Sequence, residues 1–146
     1  LFHSHDPKSG GMDCSGTIYH LFQSQQHKDI PRQSNEMAEW IIQHGDWTRT
    51  SLPSSLTDPI FAGLKPGDLL FWSSTDAPQS RKLPITHVML YLGKHKVSGE
   101  HVLFGASDGR SYAGQRRCGV SVFDFSLPKP GGKTALYGYG TPPPLK

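Results

Sequence analysis

Two residues of this sequence, Cys14 and His87, have side chains suited to nucleophilic catalysis. Cys14 stands at the predicted start of a helix, where unpaired backbone N–H groups lower the pKa of a thiol and could hold an oxyanion. His87 begins a predicted strand, from which an imidazole could act as a general base towards that thiol. A small buried cysteine and a merely hydrogen-bonded histidine are the ordinary alternatives, so the pair needs support from the residues around it.

The pattern before residue 50 is helical. A helix of about ten residues is predicted to begin at Cys14, with Asp13 as its N-cap, because apolar residues recur with helical spacing. A second helix is predicted over residues 34–43, with Ser34 as its cap and Gly45 at its end. The predicted buried stripe of the second helix consists of Met37, Trp40 and Ile41.

The rest of the chain favours strands and turns. Residues 46–66 contain three prolines and are predicted to be irregular. Short apolar or alternating runs then predict antiparallel strands, and residues 107–119 are interpreted as a polar, basic loop. The predicted strands cover residues 67–72, 87–92, 101–106, 120–125 and 135–139. Helices followed by such strands predict an α+β fold, with one domain over residues 1–146 and irregular ends at 1–8 and 141–146.

The alternation within the second predicted strand assigns its residues to two faces. Val88, Leu90 and Leu92 are expected to face the core. His87, Met89 and Tyr91 are then expected on the opposite face, where the imidazole could meet the start of the first helix.

Composition excludes several classes of protein. The chain has 146 residues, and it lacks the run of about 18 apolar residues that a membrane helix needs. A net charge of +3 without a long basic run does not favour nucleic acid binding. Two cysteines are too few for a disulfide framework; a bridge between Cys14 and Cys118 stays open, although Cys118 is interpreted as structural. His3, His5 and Asp6 are interpreted as a solvated loop, so no metal site is expected.

Four segments of the sequence, taken in their order along the chain, indicate a family more specifically. They are Ser9–Gly16, Ile30–Ser34, Leu64–Trp72 and Thr86–Gly93. They resemble, in turn, the nucleophile segment, the stretch after the nucleophile helix, the first core strand and the histidine strand of the NlpC/P60 family of papain-like cysteine peptidases. The resemblance implies a papain-like fold in which N-terminal helices pack on a central antiparallel sheet.

The resemblance also implies a reaction. Cys14 would be the nucleophile and His87 the base in cleaving amide bonds of bacterial peptidoglycan stem peptides, such as the bond between D-glutamate and a diamino acid. Asp13 and Ser15 occupy positions where the family lines its substrate subsite. No metal or cofactor is implied. The expected partner is the stem peptide, and the protein would be a monomer, secreted, periplasmic or at the cell wall.

The chain departs from the family pattern at the third catalytic residue. The family places a polar residue, usually histidine, on the strand after the catalytic histidine, and alignment puts Gly105 there. If the two strands pair symmetrically about Val97, Ser107 lies opposite His87 and is the predicted third residue. The alternatives are Asp108, His101, a backbone carbonyl or a water molecule.

Two further departures bear on the substrate and on the function. Residues 1–8 lack the tyrosine that the family usually has before its cysteine, and residues 73–86 form a long loop beside the expected cleft. Because Gly105 has no side chain to orient an imidazole, a non-catalytic peptidoglycan-binding domain is one alternative. A related amidase or deamidase acting on another substrate is a second.

Overall fold

The computed structural model describes residues 14–25, 29–50, 59–75, 83–94, 96–112, 115–125, 127 and 134–143. At residues 14, 106–112 and 115–120 it describes the course of the backbone alone. Within these ranges the helices are α1 (Cys14–Ser24) and α2 (Ser34–His44), and the strands are β1 (Asp46–Arg49), β2 (Leu69–Ser74), β3 (Ile85–Lys94), β4 (His101–Tyr112), β5 (Gln115–Asp124) and β6 (Thr134–Thr141). The α+β class is confirmed.

Helix α2 confirms its predicted span but not its predicted cap. Gln33 has extended backbone angles at the N-cap position and makes no capping bond through its side chain. Its carbonyl accepts a hydrogen bond of 2.9 Å from the Met37 N–H, so Ser34 is already the first helical residue. The predicted cap at Ser34 is therefore wrong by one position, whereas Asp13, the predicted cap of α1, lies outside the described residues.

Gly45 ends α2 as predicted, and a side chain at this position would not fit. Its N–H donates a hydrogen bond of 2.8 Å to the Ile41 carbonyl. A Cβ at this position would collide with the carbonyl oxygen of Thr141 in β6. Glycine therefore allows the chain leaving α2 to pass directly against the last strand.

The six strands form one antiparallel sheet in the order β1-β6-β2-β3-β4-β5. Strand β1 contradicts the prediction that residues 46–66 are irregular. It pairs with β6, and the indole of Trp47 lies over Gly138, where a Cβ would collide with it, and close to Gly140. This strand is stabilised by a partner some ninety residues away, so a local pattern does not reveal it.

The predicted loop over residues 107–119 is also wrong. β4 continues to Tyr112 and β5 begins at Gln115, and the two strands pair along this whole stretch. Pairing uses backbone groups, which every residue type supplies, whereas the prediction depended on apolar alternation. The polar composition therefore concealed a long hairpin.

The sheet is covered by apolar residues on both faces. On the helix side, Ile18 of α1 and Met37 and Ile41 of α2 pack against Phe71 and Val88. The other face carries a second buried cluster, which consists of Phe61, Leu70, Trp72, Met89, Tyr91, Leu103, Phe123, Phe125, Leu136 and Tyr139. Strand β3 is therefore a central strand with a core on each side.

The predicted division of β3 into two faces is confirmed up to Tyr91, since Val88 and Leu90 pack on the helix side and Met89 and Tyr91 on the other, but both faces are covered. Met89 and Tyr91 are buried, although they were expected on the side away from the core. Leu92 was expected in the core but is 44% exposed. It is the extra residue of an irregularity, because Tyr91 pairs with Leu103 while Gly93 already pairs with Val102.

The turn before β2 is held by a buried carboxylate. Asp68 is 1% exposed and accepts hydrogen bonds from the Lys65 N–H and the Thr141 hydroxyl. Gly67 has a φ of 97°, a conformation that favours glycine. The Pro-Gly-Asp turn thus joins β2 to the end of β6, and Asp68 is a structural residue.

In the part of the chain that the structure describes, neither helix has the length and apolar character required to cross a bilayer.

Candidate active site

His87 is the third residue of β3 and lies opposite Trp72 of β2. Its ring is half-buried, and the ring centroids of His87 and Trp72 are 5.3 Å apart at an angle of 57°. The pairing shifts here, because Ser73 pairs with Ile85 and Thr86 is the extra residue. Val88 packs on the helix side, so His87, the residue before it, lies on the opposite face with Trp72. The extra residue returns Ile85 to the helix side.

Cys14 is the first residue of α1, as predicted. Helix α1 packs against β3 and β4, and its Ile18 is fully buried beside Val88. The side chain of Cys14 lies outside the described part, so its meeting with His87 remains a prediction. Because His87 faces away from Ile18, that meeting requires the first turn of α1 to reach the beginning of β3, two residues from His87.

Ser15, predicted to bind substrate, is buried and held by an arginine. Its hydroxyl accepts a hydrogen bond of 2.7 Å from Nη1 of Arg32, and Ser15 is 7% exposed. This contact places a guanidinium charge at the first turn of the helix that Cys14 begins. A positive charge there favours a thiolate over a thiol. Asp13, the other predicted substrate residue, lies outside the described residues.

The sequence reasoning did not identify Arg32 as a functional residue. The segment Ile30–Ser34 carried part of the family resemblance, but the two partners are 17 positions apart and no local pattern connects them. The contact joins the first turn of α1 to the residues just before α2.

We expect Arg32→Gln to slow alkylation of Cys14 by iodoacetamide at neutral pH by roughly threefold, because losing the nearby charge raises the pKa of the thiol. Arg32→Lys should lie between Arg32→Gln and the wild type. The measurement is the labelling rate across a pH series. Arg49→Gln is the matched control, since Arg49 lies on β1 and binds the carbonyl and the ring of Tyr137 on β6. Identical pH profiles for Arg32→Gln and the wild type would contradict this role.

Gly105, which the family alignment places at the third catalytic position, is covered by Met89. A Cβ at Gly105 would come within 3.3 Å of two atoms of the methionine side chain, and Met89 itself is fully buried. The thioether therefore fills the space that a side chain at Gly105 would use. A polar third residue would have to come from a different position.

Ser107 has a backbone position compatible with that role. Leu90 pairs with Phe104 and Tyr91 with Leu103, which is the predicted symmetric register about Val97. Three residues further along the same register, Ser107 would lie opposite His87. The β4–β5 ladder runs without irregularity from Val102 to Asp108, through Ser107. The side chains of Ser107 and its alternative Asp108 are outside the description, so the assignment stays a prediction.

We expect Ser107→Ala to lower kcat by about tenfold while KM changes little, because a residue that orients the base affects turnover more than substrate binding. Steady-state hydrolysis of a soluble stem peptide measures both constants. Ser121→Ala, on the neighbouring strand opposite Gly105, is a control of the same type. An unchanged kcat in Ser107→Ala would remove this residue from the site.

His101 was one of the alternatives for the third catalytic residue, but it lies far from His87. It pairs with Lys94 at the far end of β3, seven residues from His87, or roughly 20 Å along a strand. Its Nδ1 shares a hydrogen bond of 2.6 Å with the hydroxyl of Tyr91. Burial lowers the pKa of His101, with the charge of Lys94 adding to the effect and Glu100 opposing it. Burial also raises the pKa of Tyr91.

Among the described residues, no group of three or more His, Cys, Asp or Glu side chains is arranged to hold a metal ion. His3, His5 and Asp6 lie outside the described ranges.

Comparison with known proteins connects these features to one family. The sequence model of the NlpC/P60 family matches residues 3–107, a stretch that contains both Cys14 and His87. Neither the curated proteins nor the solved structures contain a match. The matched stretch is more than two thirds of the chain and includes α1, α2 and the strands up to the middle of β4. The chain therefore belongs to the NlpC/P60 family, whose general activity is the hydrolysis of cell wall material.

Proposed function

We propose that the protein is a cysteine peptidase or amidase that hydrolyses amide bonds in peptidoglycan stem peptides, with the bond between D-glutamate and a diamino acid as the first candidate. The observation that carries the proposal is the family match over a stretch that begins before α1 and ends in β4. It is supported by the placement of Cys14 at the start of a helix that packs on the strand carrying His87.

The reaction is an acyl transfer to the thiol. His87 takes the proton of the Cys14 thiol, and the resulting thiolate attacks the carbonyl carbon. The carbonyl electron pair moves to oxygen, where N–H groups at the start of α1 can stabilise the negative charge. Collapse of this intermediate breaks the C–N bond, and His87 gives its proton to the leaving amine. His87 then takes a proton from water, which attacks the thioester and releases the carboxylic acid and Cys14.

The first turn of α1 supplies the proposed substrate contacts. Asp13 and Ser15 flank the nucleophile, and the hydrogen bond from Arg32 fixes the hydroxyl of Ser15. A stem peptide is the proposed partner of a monomeric enzyme. The substrate implies a secreted or periplasmic location at the cell wall.

The experiment is digestion of purified peptidoglycan followed by mass spectrometry of the released fragments. The expected result is a new amine and a new carboxylate at one position of the stem peptide, with no cleavage of the glycan. A profile identical to that of the untreated wall would overturn the proposal. New termini outside the stem peptide would assign the enzyme to another substrate.

One structural observation favours a second candidate, a non-catalytic domain that binds peptidoglycan. A Cβ at Gly105 would lie 3.3 Å from two atoms of Met89, so a side chain where the family places its third catalytic residue requires Met89 to shift. A binding domain would sediment with insoluble peptidoglycan and release no fragments. Its Cys14 would also react with iodoacetamide no faster than an ordinary exposed thiol.

A further inference from the structure

Trp72, which pairs with His87, has a register irregularity with each of its two neighbouring strands. With β3, the register shifts between Trp72 and Ser73; with β6, it shifts between Phe71 and Trp72. Such features re-aim side chains, often next to active sites.

Trp72 contacts both the buried cluster and the imidazole of His87. It is 2% exposed, and its ring meets Phe125 edge-on at 6.2 Å within the buried cluster. The ring of His87 lies at 5.3 Å from the same tryptophan. Trp72 is thus packed in the core on one side and supports the imidazole on the other.

Strand β4, on the other side of β3, carries Gly105 and His101 among its described residues. Met89 covers Gly105, and His101 is bound to Tyr91 at the far end of the strand. The contact with Trp72 comes from β2, on the other side of β3 from Gly105, where the sequence departs from the family pattern for orienting the histidine.

We infer that Trp72 is a positioning residue, which fixes the ring of His87 for proton transfer by packing against it. This inference rests on the proposed function and adds to it a residue that acts through His87. Packing of a flat ring against an imidazole removes alternative side-chain rotamers, and a misplacement of about 1 Å can cost about a hundredfold in rate. Phenylalanine can retain most of this contact, whereas leucine cannot present a flat face.

The test compares Trp72→Leu and Trp72→Phe with the wild type. We expect Trp72→Leu to lower kcat by at least tenfold with KM within about twofold, and Trp72→Phe to restore kcat to within about threefold of the wild type. The proton shifts of the His87 ring, identified by their absence in His87→Asn, give a second readout. The upfield displacement by the indole should be lost in Trp72→Leu.

Phe61→Leu is the matched control for damage to the core. Phe61 belongs to the same buried cluster and contacts Phe125 and Tyr139, and no ring contact with His87 is described for it. It should lower the unfolding midpoint while leaving kcat within about threefold of the wild type. Equal losses of kcat in Trp72→Leu and Phe61→Leu at matched stability would overturn the inference, as would failure of Trp72→Phe to restore turnover.

The outcome can be separated from that of the proposed function. If the wild-type protein leaves peptidoglycan intact, the proposed function fails, and the rate of Cys14 alkylation then replaces kcat as the readout of the His87 position. Slower alkylation in Trp72→Leu than in Trp72→Phe and Phe61→Leu would still support positioning. Equal rates in the three variants, with unchanged His87 shifts, would reject it.

Discussion

Replacing Cys14 by alanine should reduce the release of peptidoglycan fragments by about 10³-fold or more, because the proposed acyl transfer has no other nucleophile. The measurement is the appearance of new amine groups during digestion, with fragments identified by mass spectrometry. Cys14→Ser should also be nearly inactive, since a hydroxyl at that position is a far weaker nucleophile than a thiolate. Both variants should keep the wild-type affinity for insoluble peptidoglycan.

Cys118→Ala provides the matched control for Cys14→Ala. Cys118 lies on β5 opposite Asp108, so it is a second cysteine of the same chain on a different element. This variant should keep wild-type turnover with and without reductant. A gain of activity on adding reductant to the wild type, and not to Cys118→Ala, would show that the two thiols form a bridge. Persistent turnover in Cys14→Ala would reject the nucleophile assignment.

The elements that the sequence predicts correctly are those with a local signal. The helix beginning at Cys14 follows from apolar residues at helical spacing, and the end of α2 follows from Gly45. Strands β2 and β3 follow from apolar runs bounded by turns. In each case the residues that determine the element lie within it or beside it.

The elements that the prediction missed depend on distant partners. Strand β1 is fixed by Trp47 packing over glycines of β6, and the extended β4–β5 hairpin is fixed by backbone pairing between polar stretches. The second buried cluster was missed for the same reason, since Met89 and Tyr91 are buried by strands that come later in the chain. A pattern of single residues does not contain this information.

The candidate site divides in the same way. Cys14 and His87 could be found because their chemical types stand inside recognisable segments. Arg32 and Trp72 could not be assigned roles, because their contacts arise from the return of the chain to α1 and from irregularities in β2 and its neighbours. Thr86 illustrates the difference, since one extra residue in β3 decides which face Ile85 occupies.

Replacing His87 by asparagine should lower kcat by about 10³-fold, because the leaving amine then departs without a proton donor and the thiol lacks a base. KM for a soluble stem peptide should change by less than about threefold. The pH dependence is a stronger criterion than the loss itself. Because protonated His87 gives its proton to the leaving amine, the falling limb of the wild-type pH–rate profile should follow the titration of His87 measured by NMR, and this limb should disappear from the residual activity of His87→Asn.

His101→Asn is the control for the loss of an imidazole from the same sheet. His101 is bound to Tyr91 and packs edge-on against Phe125, so this variant should lower stability through the lost hydrogen bond, which is worth about 1 kcal/mol. Its kcat and pH–rate profile should stay close to those of the wild type, because its position is roughly 20 Å of strand from His87. If His101→Asn lost turnover and His87→Asn retained it, the base would be His101, and the proposed pairing of Cys14 with β3 would have to be abandoned.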